Sequence, residues 1–262
     1  IKNINLFISF FFVLSSYLLY LRLNSEKITK LFVIKTLKKH FIKYYPTHLL
    51  FLLIFVIIEI AKTYYINLYG YSPLYETYSI KDFIINCFFF NGFELSPHTF
   101  NQPSWSVSLL FWVIVLYITL GLYSKKLLNI ISFLLSALLF IFLIYNYNYE
   151  FMYKYRNLLL LFSFSYTYLL SSLLNSKKFS HIFHSIFFKA AYIIIFIFLL
   201  LYFTDIAFPF LYLFVVHYLF LKKQNSKQII NHKLNSIINY LGNVSFFWYM
   251  SHFLFTFSTR QI

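Results

Sequence analysis

The sequence predicts an all-α fold, a polytopic bundle of about eight transmembrane helices, and three observations carry that expectation. Of the 262 residues 61% are hydrophobic and only 11% charged, with a mean hydropathy of +0.72. A water-soluble chain of that balance lacks the polar surface to cover itself. Eight windows of roughly 17 to 25 mostly apolar residues, the length that crosses a bilayer, follow one another along the chain. The gaps between them alternate in charge, with fifteen Lys and Arg in one set and three in the other, the asymmetry that retains basic loops on the cytoplasmic side.

The expected spans are, in order, Asn3 to Leu21, Tyr45 to Ala61, Trp105 to Tyr123, Leu127 to Asn146, Asn157 to Leu174, Ile186 to Phe203, Asp205 to Leu221 and Ile237 to Phe257. The first starts after Lys2 like a signal peptide, but it runs into Arg22 without small cleavage-site residues and is read as a span. In the short seventh, Pro209 falls near the start, where a first-turn proline is tolerated. Both ends of the chain as given are then outside. Leu23 to Lys43 is basic and is expected at the cytoplasmic interface. The longest outside segment, Thr63 to Ser104, holds an apolar stretch, Phe83 to Phe90, too short to cross and expected to be re-entrant or interfacial. With aromatic residues at 25% and only four glycines, bulky side chains are expected to do most of the packing between helices.

Composition also excludes. The formal charge of +15 is spread over short gaps between apolar runs, not gathered on a tail or soluble domain, which argues against a nucleic-acid partner. A single cysteine, Cys87, rules out an intramolecular disulfide and a Cys-rich metal site, so no metal and no resident cofactor are expected.

Four local motifs add more. Phe11-Phe12-Val13-Leu14-Ser15-Ser16-Tyr17-Leu18-Leu19 opens the series, and Lys39 to Pro46 reads KHFIKYYP. Gln102-Pro103-Ser104-Trp105-Ser106-Val107-Ser108 follows the outside loop. Leu241-Gly242-Asn243-Val244-Ser245-Phe246 leads to Tyr249-Met250-Ser251-His252. In this order they resemble the FFVLSGFLL, RRxxRIxP, PSWSLS and LGxxSYxxYLxH segments of the acyltransferase 3 family of membrane O-acyltransferases. Ser16 and Tyr17 replace the family's Gly and Phe, and Lys43 stands where Arg is usual. The resemblance covers nearly the whole chain and implies a single transmembrane domain, 1–262, that lacks one span at each end of the family's ten. The family's first span, with an Arg and the His considered its catalytic base, has no counterpart here. The carboxylate that normally follows PSWSLS falls on Leu110.

The resemblance implies acyl transfer from a cytoplasmic acyl-CoA, the donor substrate, to a hydroxyl of a polysaccharide or lipid-linked glycan at a bacterial plasma membrane. Such chemistry needs a base at the hydroxyl and donors at the developing oxyanion. Lys35, Lys39 and Lys43, at i, i+4, i+8 on one helical face, are candidates for the CoA phosphates, with positive-inside retention and contact with membrane lipids the plainer account. Trp105, Ser106 and Ser108 are candidates for shaping the acyl or acceptor site, against an interfacial anchoring role for Trp105. Ser245 and Tyr249 join them on motif context. For catalysis the candidates are His252, on one helical face with Ser245 and Trp248, and Glu59, which a local pair with Lys62 explains as well. His217, mid-span, is expected to be neutral and bonded to a neighbouring helix. The alternatives are a polysaccharide exporter or polymerase, and an acyltransferase-like protein that has lost its base. Against a polymerase, Thr63 to Ser104 offers one Lys, one His and no Arg.

Overall fold

A computed structural model describes residues 4–69, 79–93, 95, 104–147, 156–174, 176, 186–204 and 206–211. These residues are helical, with no strand among them. The helices are α1 (Ile4–Ser25), α2 (Lys30–Tyr69), α3 (Ile80–Cys87), α4 (Ser104–Tyr123), α5 (Lys125–Tyr145), α6 (Arg156–Leu174) and α7 (Ile186–Tyr202). A single 3-10 turn covers Asn91–Phe93, and 206–211 are helical. Five helices, α1, α2, α4, α5 and α6, are long and apolar enough to cross a membrane. α7 has 17 residues, about 25 Å at 1.5 Å per residue, short of a hydrocarbon core of about 30 Å. Most of the expected seventh span and all of the eighth lie outside the described residues.

Three expected spans match α4, α5 and α6 to within two residues, because each is a uniform apolar run with a polar stop. Between α4 and α5 that stop is one residue, Ser124, whose side chain accepts from the Leu127 N–H and caps α5. α2 differs. The basic segment expected to lie apart at the interface is continuous, from Lys30 onward, with the span that follows. Thr29 starts this helix by accepting from the Phe32 N–H at 3.2 Å, and no Gly interrupts it before Tyr69. Pro46 sits inside, which only deprives the Ile42 carbonyl of its helical donor. Forty residues make a rod of about 60 Å, twice the hydrocarbon thickness.

Two compact units divide the chain. In the first, formed by 1–34 and 113–228, α6 packs against α1 and α5. Aromatic rings fill much of this space: Tyr117 stands edge-on to Phe164 and Tyr168, with centroids 4.9 and 5.2 Å apart. Small residues are used as well, contrary to the expectation from scarce Gly. Ser163, Ser165, Thr167 and Ser171 of α6 are buried, and each hydroxyl donates to the carbonyl four residues earlier at 2.7 Å. A serine whose hydroxyl is so occupied presents a small, nearly apolar surface. Ser16 is fully buried on α1 and donates to the Phe164 carbonyl at 2.7 Å.

The second unit contains 35–112. Here α3 begins with a reciprocal capping box: Ser79 accepts from the Asp82 N–H, and the Asp82 carboxylate accepts from the Ser79 N–H. Its eight residues, about 12 Å, cannot cross a bilayer. α3 runs antiparallel to α2: Phe83 packs with Leu52 and Phe55, then Asn86 meets His48, then Cys87 meets Tyr45. It lies beside residues 45–55 of α2, within the stretch of that helix that is apolar enough to span.

Candidate functional site

The carbonyls that a helix C-terminus leaves open need hydrogen-bond partners, and at the end of α3 each of them finds one. The Ile84 and Ile85 carbonyls accept from the Phe88 and Phe90 N–H groups at 3.1 and 2.9 Å. Asn86 O accepts from the Phe89 N–H at 3.0 Å and from the His48 imidazole at 2.8 Å. Tyr45 donates its hydroxyl to Cys87 O at 3.0 Å. All four carbonyls that a helix C-terminus leaves open are thus occupied, two of them by side chains of α2.

The other wall is α4. Ser104, Ser108 and Trp112 are one turn apart on the same face, and all three grip the turn. Asn91 donates its amide to the Ser104 hydroxyl. Ser108 donates to the Phe89 carbonyl and accepts from the Gly92 N–H at 3.1 Å. Trp112 Nε1 donates to the same Phe89 carbonyl at 2.9 Å and stacks on Phe90 at 4.9 Å. Phe89 adopts a left-handed backbone, φ 63°, at a cost of about 1–2 kcal/mol for a residue with a Cβ. Two hydrogen bonds to its carbonyl and near-complete burial of its ring offset that strain. Gly92 has no substitute, since a Cβ there would meet Trp105 O at 2.5 Å and Leu109 N at 2.6 Å.

His48 is fully buried under the Phe89 ring, 4.5 Å between centroids. Because Nε2 faces a carbonyl, it carries the hydrogen, and in the neutral ring the lone pair is on Nδ1. That Nδ1 has no hydrogen-bond partner, and neither do Asn86 Oδ1 or Asn91 Oδ1. All three are buried acceptors without a donor among the described residues, carried by α2, α3 and the turn. Cys87 completes the turn, and burial pushes its thiol above the ordinary value, away from nucleophilic thiolate character.

The predicted residues fall as follows. Trp105, Ser106 and Ser108 are all buried on α4; the Trp105 indole, 5% exposed, is inside the protein and is no lipid-facing anchor. Ser108 spends its hydroxyl on the turn. Leu110 is buried on the same helix. Lys35, Lys39 and Lys43 share one face of α2 and are exposed, with the Lys43 ammonium 5.4 Å from the Tyr44 ring centre. Glu59 is carried by the same helix. His252, Ser245, Tyr249, Trp248 and His217 lie outside the described residues. His48 was not among the predicted residues, although it is an ionisable group inside an expected span, the signal applied to Glu59 and His217. Compared with protein-family models, curated proteins and solved structures, the chain has no match.

Proposed function

We propose that this chain is a membrane O-acyltransferase, moving an acyl group, acetyl in the simplest case, from acyl-CoA to a hydroxyl of a surface or secreted polysaccharide at a bacterial plasma membrane. One observation carries the reading. The KHFIKYYP and QPSWSVS segments, far apart in sequence, grip the same turn from α2 and α4, around a histidine with an available lone pair. In this reading His48 Nδ1 takes the proton of the acceptor hydroxyl as its oxygen attacks the thioester carbonyl. The C–S bond breaks as the tetrahedral intermediate collapses, and the CoA thiolate recovers that proton from His48. Asn86 Oδ1 and Asn91 Oδ1 accept from neighbouring hydroxyls and hold the sugar.

The test uses the full chain in native membranes, incubated with radiolabelled acetyl-CoA and assayed for ester-linked label on glycan. His48→Gln retains an amide N–H for the Asn86 carbonyl but has no base, so label should fall at least a hundredfold with thermal stability unchanged. His252→Ala and Trp105→Ala are compared in parallel. Absence of transfer from any short acyl-CoA by the folded wild-type protein would overturn the reading.

A further inference from the structure

The first unit contains a polar cavity remote in character from everything around it. Three helices each direct an i, i+4 polar pair into it: Tyr20 and Asn24 from α1, Lys125 and Asn129 from α5, Tyr168 and Ser172 from α6. Ser176 closes the rim, and no Asp or Glu lines it. The basic-gap count puts these three helix ends on the cytoplasmic side. At these helix ends Asn24 and Lys125 are exposed, Asn129, Ser172 and Ser176 are half-buried, and Tyr20 and Tyr168 are buried beneath them.

Most of these groups are also unspent. Among the described residues, Lys125, Asn129 and Ser172 make no side-chain hydrogen bond or ion pair, and Tyr168, only 3% exposed, makes no hydrogen bond through its hydroxyl. The Tyr20 and Tyr168 rings meet edge-on at 5.7 Å and form the floor. Lys125 is the first residue of a 21-residue helix, so its ammonium and the helix dipole favour the same charge sign. The cavity measures about 170 Å³, below the roughly 300–1,000 Å³ of pockets for drug-sized molecules, and suited to one charged group.

We propose that this cavity is a binding site for a phosphate ester, with Lys125 as the counter-charge and Asn129, Tyr168 and Ser172 as hydrogen-bond donors. Two sources share that chemistry, a soluble phosphate ester such as coenzyme A and the headgroup of an anionic phospholipid. The site does not depend on the acyltransfer reading, because binding alone defines it.

The full chain in phosphatidylcholine nanodiscs is titrated with coenzyme A, with pantetheine as the phosphate-free control. In parallel, preparations in phosphatidylglycerol-containing nanodiscs are assayed for protein-bound phosphatidylglycerol by native mass spectrometry. Lys125→Gln should weaken binding about tenfold, the loss of one charge-assisted contact, while Lys126→Gln stays within about twofold. Ser172→Leu, which fills the cavity, should act like Lys125→Gln. Loss of coenzyme A binding identifies a soluble ester, and loss of retained phosphatidylglycerol identifies a lipid. If neither ligand discriminates Lys125→Gln from Lys126→Gln, the site does not exist.

Discussion

Gly92→Ala tests the turn most directly, because the added methyl meets main chain, which cannot rotate away. Its Cβ would sit 2.5 Å from Trp105 O, where ordinary contact starts near 3.4 Å, so the turn must retreat from α4 by about 0.9 Å. The Gly92 N–H, now 3.1 Å from Ser108 Oγ, then lies near 4 Å, outside hydrogen-bond range. The paired bonds from Ser108 and Trp112 to Phe89 stretch with it. Two to three hydrogen bonds at about 1 kcal/mol each, partly offset by about 0.4–1 kcal/mol from the stiffer unfolded chain, leave a net loss of about 1–2.6 kcal/mol. For a chain of this size that lowers Tm by about 2–10 °C. The assay is thermal unfolding of the detergent-purified full chain, with Gly121→Ala as control. There a Cβ meets only side-chain ends, Ile28 Cδ1 at 3.3 Å and Leu128 Cδ2 at 3.6 Å, and helix propensity favours Ala by about 1 kcal/mol, so Tm should hold or rise. Gly92→Ala melting within 2 °C of wild type would refute the close approach of the turn to α4.

Three further outcomes are expected. Trp112→Phe keeps the stacking on Phe90 and removes one of two donors to Phe89 O, a loss of about 1 kcal/mol; Ser108→Ala strands a buried N–H as well and should cost about 2–3 kcal/mol, both read as shifts in Tm. Ser16→Ala should cost about 0.6 kcal/mol, a typical interhelical hydrogen bond in lipid, whereas Ser16→Leu overpacks the α1–α6 contact and should cost about 1–3 kcal/mol or more, measured by the same melts. Burial holds the Cys87 thiol in its neutral form, so maleimide labelling at pH 7.5 should be slower than for a free cysteine, and should accelerate as pH rises through the elevated pKa. Labelling at the rate of free cysteine in the folded protein would place the thiol in solvent.

How much of this was legible beforehand differs by element. α4, α5 and α6 were legible because unbroken apolar composition and the polar stops at Ser124 and after Tyr145 leave no other register. α2 was not, since hydropathy changes at Lys43 while helix propensity does not: Lys, Leu, Ile and Phe alike continue a helix once Thr29 has started it. The PSWSVS segment pointed to a substrate-shaping or interfacial role, not to Ser104 and Ser108 holding the turn. That role depends on the left-handed Phe89 and on the approach of Gly92, tertiary facts without a local signature. His48 could have been flagged by its position in an expected span. Its partner Asn86 could not, because nothing in the sequence says that α3 turns back along α2.

The complete accounting of carbonyls at the end of α3 bears on biogenesis. Without its neighbours, that helix end would leave the Cys87 and Phe89 carbonyls without a donor, whereas Asn86 O keeps the Phe89 N–H. Tyr45 and His48 are synthesised before α3, but Ser108 and Trp112 come after it. The turn therefore acquires the donors of its Phe89 carbonyl only once α4, made later, packs beside it.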